Sequence, residues 1–253
     1  MLGTDLAMAL DPALLAERAG LTPDRWQADL LRSSARQIIL LCSRQAGKST
    51  VSSFLAIEEA IYRPPALVLC LAPAQRQSQE LFRKIKGALH VLGDVAPPIA
   101  RETELTLELA NGSRIVALPG KEATIRGFSG VALLVVDEAS RVADPLYQAV
   151  RPMLAVSGGR IVLLSTPFGR RGFFFHEWEE GGPHWQRVRI PATEVPRIAP
   201  EWLEAERLRI GDWWFRQEYL TEFVETTDQV FGYDLIMEAI SPNIKPLFGG
   251  TAP

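Results

Sequence analysis

Four short apolar runs punctuate the chain: Ile38 to Leu41, Ala66 to Leu71, Ala132 to Val136 and Ile161 to Leu164. Each is too short for a packed helix and shows no polar alternation, the pattern of a strand buried on both faces of a parallel sheet. Between them lie stretches of helical character. Leu14 to Arg32 is interrupted by Gly20 and Pro23, Val51 to Ile61 reads as amphipathic, and Gln75 to about Leu92 follows Pro73. The alternation predicts an α/β fold, with a mostly parallel central sheet flanked by helices. Glu104 to Leu109 and Arg114 to Leu118 differ in alternating in polarity around Asn111-Gly112, which predicts an antiparallel hairpin added to the sheet. Beyond Ser165-Thr166-Pro167 glycine, proline and aromatics rise, and Pro200 to Phe223 reads as two helices broken near Gly211. The expected organisation is a core over 1–169, a small C-terminal lid subdomain over 170–225 and a linker over 226–253.

Composition narrows the class only slightly. With 253 residues, 47% of them hydrophobic, the chain can bury a large core in one domain or in one domain with a small appendage. Its two cysteines, Cys42 and Cys70, form neither a disulfide framework nor a zinc-binding spacing. No apolar stretch has the length of a membrane span, and the N-terminus lacks the basic region of a signal peptide, so a cytoplasmic protein without a membrane partner is expected. The net charge of −3 argues against a wholly basic surface, yet leaves room for a local basic patch.

The first apolar run leads directly into Cys42-Ser43-Arg44-Gln45-Ala46-Gly47-Lys48-Ser49-Thr50. A strand, a tight loop and a helix N-terminus in that order make a phosphate cradle. Gly47 lets the backbone approach an anion, Lys48 can reach the β- and γ-phosphates of ATP, and Ser49 can offer its hydroxyl to Mg²⁺. Cys42 stands where the usual first glycine of the motif would be. The run Ala132 to Val136 ends in Asp137-Glu138, where one carboxylate can hold Mg²⁺ through its water shell and the next can polarise an attacking water. Asp137 is the expected metal-side group and Glu138 the expected base. An isolated acidic pair would be an ordinary solvated cap, but this one follows a buried strand in a chain that already carries a phosphate loop.

Trp26-Gln27, Ser43 to Ser49, Ile125-Arg126-Gly127-Phe128, Val136 to Ala139, Ser165-Thr166-Pro167 and Phe215-Arg216-Gln217-Glu218-Tyr219 together resemble the large terminase subunit of tailed double-stranded DNA bacteriophages. The resemblance runs in order from about Thr22 to Phe223. It implies a P-loop NTPase of the ASCE type that hydrolyses ATP with Mg²⁺ and drives double-stranded viral DNA into a procapsid. The ATP-binding set would be Trp26, Gln27, Ser43, Gln45, Ala46, Gly47, Lys48, Ser49 and Thr50, with Ser49 and Asp137 toward the metal. Glu138, Lys48, Arg44 and Arg126 would be catalytic, Arg126 as an arginine finger given to a neighbouring subunit. Ser165 and Thr166 would couple phosphate state to lid movement. The implied partners are double-stranded DNA, a portal protein carrying a homo-oligomeric ring, a small terminase subunit and a downstream nuclease domain, all in the host cell cytoplasm. Asp228, Asp234 and Glu238 are scattered in a short tail, so the chain reads as the ATPase half, without nuclease activity.

Each role has a plainer counterpart. Trp26 can be a core tryptophan, Arg44 an exposed loop arginine, Arg126 half of a surface salt bridge, and Ser-Thr-Pro a common turn. Arg170-Arg171 and Lys121 can form a solvated basic loop rather than touch DNA, and Trp213-Trp214-Phe215 with Tyr219 and Phe223 reads as lid core. Two other functions compete: a helicase-like nucleic-acid translocase, which normally carries a second lobe, and a nucleotide-gated binding module whose hydrolysis is incidental.

Overall fold

A computed structural model describes residues 2–119 and 127–225. Helices α1 (Leu2–Leu10), α2 (Pro12–Arg18) and α3 (Arg25–Arg32) precede β1 (Gln37–Cys42), α4 (Lys48–Tyr62), β2 (Leu67–Ala72) and α5 (Gln75–Leu92). Strands β3 (Ile99–Glu102), β4 (Thr106–Leu109) and β5 (Arg114–Pro119) follow, then β6 (Leu133–Asp137), α6 (Asp144–Val150) and β7 (Arg160–Ser165). The remaining elements are α7 (Gly172–Glu179), β8 (Trp185–Ile190), α8 (Pro200–Ile210) and α9 (Asp212–Glu218).

The strands form one eight-stranded sheet in the order β3-β4-β5-β2-β6-β7-β1-β8. From β5 to β8 all neighbours are parallel, and β3-β4-β5 is the antiparallel addition. The apolar runs are buried on both faces because successive side chains alternate between them. Ile38, Leu40 and Cys42 enter one cluster with Val68, Cys70, Val135 and Val162, under α2, α3, α4 and α5. Ile39 and Leu41 enter the other with Leu69, Leu134, Val136 and Leu163, under α6 and α7. The expected hairpin is present. Gly112 takes φ +86°, and Asn111 reaches from the turn to donate its Nδ2 to the Ala60 carbonyl of α4 at 2.8 Å.

Register decides where the site lies. Leu40 of β1 is level with Leu164 of β7, which is level with Asp137 of β6. The C-terminal ends of these three strands therefore open onto one edge, the general place for ligands in an open parallel sheet.

Two expectations change. The helix after the phosphate loop is not amphipathic, because α2, α3 and α5 cover the side turned from the sheet and bury almost its whole length. Its polar residues are satisfied internally: Ser52 and Ser53 donate to the carbonyls of Ser49 and Thr50, and buried Glu58 and Glu59 pair with Arg63. The boundary expected at residue 170 does not divide the core either. Strand β8 pairs with β1 in the main sheet, and Phe173 and Phe174 of α7 belong to its second face. Only α8 and α9 have a small cluster of their own, around Ala192, Leu203, Phe215 and Tyr219. Of the aromatics expected in the lid core, Trp214 is 49% exposed and Phe223 packs instead beside Phe174 and Phe175. The linker over 226–253 lies outside the described residues, as do Lys121 and Arg126. Among the described residues no helix is long and apolar enough to cross a membrane.

Candidate functional site

Strand β1 ends in Cys42, whose thiol burial pushes up to about 12, so it is an inert apolar strand end. The loop then turns through Gln45 at φ +59° and Gly47 at φ +93° before α4 begins at Lys48. Only glycine fits at 47: a Cβ there would lie 2.6 Å from Gln27 Nε2 and would sit in a left-handed conformation. The free N–H groups of the first turn of α4 thus face the loop's own hollow, where they favour an anion.

Lys48 is buried, with Nζ donating to the Ser43 carbonyl at 3.1 Å and lying 3.9 Å from Glu138 Oε1. Ser49 Oγ donates to Asp137 Oδ2 at 2.8 Å, joining the phosphate loop to the end of β6. Glu138 follows in a left-handed turn at φ +49°, its own N–H held by Asp137 Oδ1 at 2.9 Å. Burial pushes the Glu138 carboxyl above the usual carboxylate range; Lys48 opposes this, and the neighbouring charge of Asp137 adds to it.

These groups border a cavity of about 560 Å³. Of the residues expected to bind ATP, Gln27, Gln45, Gly47, Lys48, Ser49 and Thr50 line it, with Arg44, Glu138 and Thr166. Ser43 and Ala46 sit behind the loop and present backbone carbonyls to Lys48 and Arg197. Trp26 is not in the lining. It packs on the first core cluster, and its indole N–H has no hydrogen-bond partner among the described residues. Gln27 is buried, with its Oε1 used to accept the Asp24 N–H at the start of α3 while its Nε2 lies under Gly47. Ser165 is not in the lining but bonds to Ser140, two residues after Glu138, at 2.7 Å; Ser140 Oγ also donates to the Thr166 carbonyl at 2.8 Å. The acidic turn and the Ser-Thr-Pro segment are therefore mechanically joined.

Sequence reasoning missed Gln77 and Lys84 on α5, Arg141 and Arg197, all of which line the cavity. Arg197 donates to Asp24 Oδ1 at 2.6 Å and to the Ala46 carbonyl at 3.2 Å, so it closes the side of the loop. Their distance along the chain from the loop left no local signal. Among the described residues five cationic side chains, Arg44, Lys48, Lys84, Arg141 and Arg197, line the hollow with one carboxylate, Glu138. Behind the lining Glu218 pairs with Arg44 and Arg141 and Asp24 with Arg197, and the cations still outnumber the carboxylates that face them, which favours an anionic ligand.

Comparison with known proteins gives the same direction. The chain is 28% identical over 256 residues to the terminase large subunit of Thermus phage G20c, an alignment covering 87% of this chain and 53% of that protein. It is 25% identical to the terminase large subunit of Escherichia phage T5, over 84% of this chain and 50% of that one. The chain thus spans about half the length of these relatives. The solved ATPase domain of the large terminase of Thermus phage P74-26 superposes with a TM-score of 0.74 at 25% identity, covering 83% of this chain and 97% of that one. A family model described as terminase large subunit, T4likevirus-type, N-terminal, matches residues 39–237, the stretch that holds the loop before α4, the acidic pair and the Ser-Thr-Pro segment. With most of its length in that match, the chain belongs to the terminase large subunit family, in its N-terminal, T4likevirus-type part.

Proposed function

We propose that the chain is the ATPase part of a DNA-packaging motor, hydrolysing ATP to drive double-stranded viral DNA into a procapsid. The observation that carries the reading is the cation-lined cavity closed by the Lys48, Ser49, Asp137 and Glu138 assembly at the ends of β1 and β6. The terminase relatives and the ATPase domain of similar fold support it.

The polyphosphate lies over the turn of Gly47, with backbone N–H groups and Lys48 neutralising the β- and γ-phosphates. Gln27 and Thr22 line the cavity and face the base; Gln27 Nε2 is the donor left by its helix-capping Oε1. Glu138 orients the attacking water and accepts its proton. Arg44 and Arg141 stabilise charge at the γ-phosphate, and Arg126 serves a neighbouring subunit in a ring on the portal protein. Ser49 Oγ and Asp137 Oδ2 are adjacent hard oxygen donors, which suits Mg²⁺ bound by two protein oxygens, phosphates and water. When bound there, Mg²⁺ supplies neutralisation of the phosphate charge. Loss of the γ-phosphate is felt by Thr166 and passed through Ser165 and Ser140 toward α8 and α9, the moving lid.

The test is steady-state ATP hydrolysis by this chain with and without double-stranded DNA. A motor shows turnover that rises with DNA. Tight ATP binding with no turnover in either condition would instead fit a nucleotide-gated binding module.

A further inference from the structure

Helix α9 meets the phosphate loop through Glu218, a residue of the Phe215-to-Tyr219 stretch whose role is otherwise unassigned. Its side chain is only 7% exposed. Oε2 accepts from Arg44 Nε at 2.5 Å, and Oε1 lies 3.6 Å from Arg141 Nη2. Its main-chain carbonyl also accepts the Arg44 N–H, at 3.0 Å. Both arginines line the nucleotide cavity beside Glu138. Arg141 donates its N–H to the Glu138 carbonyl and lays its guanidinium 4.2 Å over the Phe168 ring, just past the coupling segment.

A carboxylate this deep needs partners, and it has taken two of the five cations of the cavity. The same guanidiniums are the groups best suited to hold a terminal phosphate, by paired charge-assisted hydrogen bonds. Glu218 and the γ-phosphate therefore compete for one pair of arginines. On the ATPase reading the γ-phosphate is the one that meets Glu138 and these arginines, and a diphosphate lacks it. The main-chain bond between Glu218 and Arg44 is untouched by that exchange, so α9 can loosen its side-chain grip without leaving the loop.

We propose that Glu218 is a positioning residue: it holds Arg44 and Arg141 on the Glu138 side of the cavity and yields them to a nucleoside triphosphate but not to a diphosphate. The proposal rests on the ATPase reading above.

The test is equilibrium binding of fluorescent ADP and of a slowly hydrolysed fluorescent ATP analogue to the parent chain, Glu218→Gln, Glu218→Asp, Arg44→Ala and the double variant Arg44→Ala/Glu218→Gln. Glutamine has the same shape, keeps the main-chain bond and removes only the competing charge. Glu218→Gln should bind the triphosphate analogue about tenfold more tightly, the size of one charge-assisted hydrogen bond, with ADP affinity changed less than about twofold. In the Arg44→Ala background most of that gain should vanish, since the partner is gone. Glu218→Asp, which keeps the charge but retracts it by one methylene, should fall between, and it carries the test if thermal unfolding shows Glu218→Gln to be misfolded. A parallel change for both nucleotides, no change, or a gain undiminished without Arg44 would overturn the proposal and leave Glu218 as a structural ion pair. A parent chain that binds neither nucleotide would overturn the ATPase reading, and this proposal with it.

Discussion

At the scale of single residues, Glu138 holds opposing demands. A base must be ionised, but burial holds this carboxyl above the usual carboxylate range; Lys48 pulls it back, and Asp137 pushes it further up. Because only the deprotonated form accepts a proton, kcat/KM should fall as pH drops through that raised value of the free protein, and its acidic limb should lie above that of an ordinary glutamate. A profile flat down to the ordinary carboxylate range would contradict the assignment. The same shift has a stability sign. A carboxyl that binds its proton more tightly when folded contributes stability fully below its unfolded pKa and loses it as pH rises through the folded one. At neutral pH Glu138→Gln should therefore leave the nucleotide-free protein at least as stable as the parent by calorimetry, and a clearly lower Tm would argue for a structural carboxylate. Lys48→Ala should act on binding itself, weakening MgATP by about tenfold or more, because its contact to phosphate exists in the ground state. Residues placed by their neighbours along the chain, Gly47 to Ser49 and Asp137-Glu138, were legible in sequence as candidates, and they do lie together. Arg141, Arg197 and Glu218 were not, since each is defined by a partner elsewhere in the chain: Arg141 and Arg44 by Glu218, Arg197 by Asp24 and Ala46.

At the scale of elements, legibility followed burial. Strands β1, β2, β6 and β7 are buried on both faces and announced themselves as unbroken apolar runs. Strand β8 did not, because Gln186, Arg187 and Arg189 interrupt it. On the sheet edge those arginines bond carbonyls, half-buried Arg187 at Trp178 and exposed Arg189 at Leu220. Strand β3, exposed along its length, carried no apolar signal at all. The β4-β5 hairpin was readable from Asn111-Gly112, but its anchorage was not: Asn111 accepts the Ser113 N–H at 3.0 Å and donates to Ala60, tying the turn to the C-terminal end of α4. Asn111→Ala removes both bonds and should lower the unfolding free energy by about 1–2 kcal/mol. Urea unfolding measures this. ATP affinity should stay unchanged, because the turn lies at the far end of α4 from the phosphate loop; equal stability would mean that the hairpin needs no tether.

At the scale of the whole molecule, the sheet brings a phosphate loop and an acidic pair to one edge with β7 between them, and α9 through Glu218 and the segment before α8 through Arg197 are bound to that loop. On the proposed reading the nucleotide is held within one chain, while the arginine finger proposed at Arg126 would come from another copy. Mixing Arg126→Ala chains, which keep Glu138, with Glu138→Gln chains, which keep Arg126, should restore turnover that neither has alone, and turnover of the parent should rise more steeply than protein concentration. Strict proportionality with no restoration would place Arg126 in its own subunit or outside the chemistry. The central claim, that this cavity hydrolyses ATP with Glu138 as base, is tested most directly by measuring MgATP affinity and phosphate release together on the parent and on Glu138→Gln. The account predicts retained affinity with turnover reduced about a hundredfold or more; equal turnover in the two proteins would contradict it.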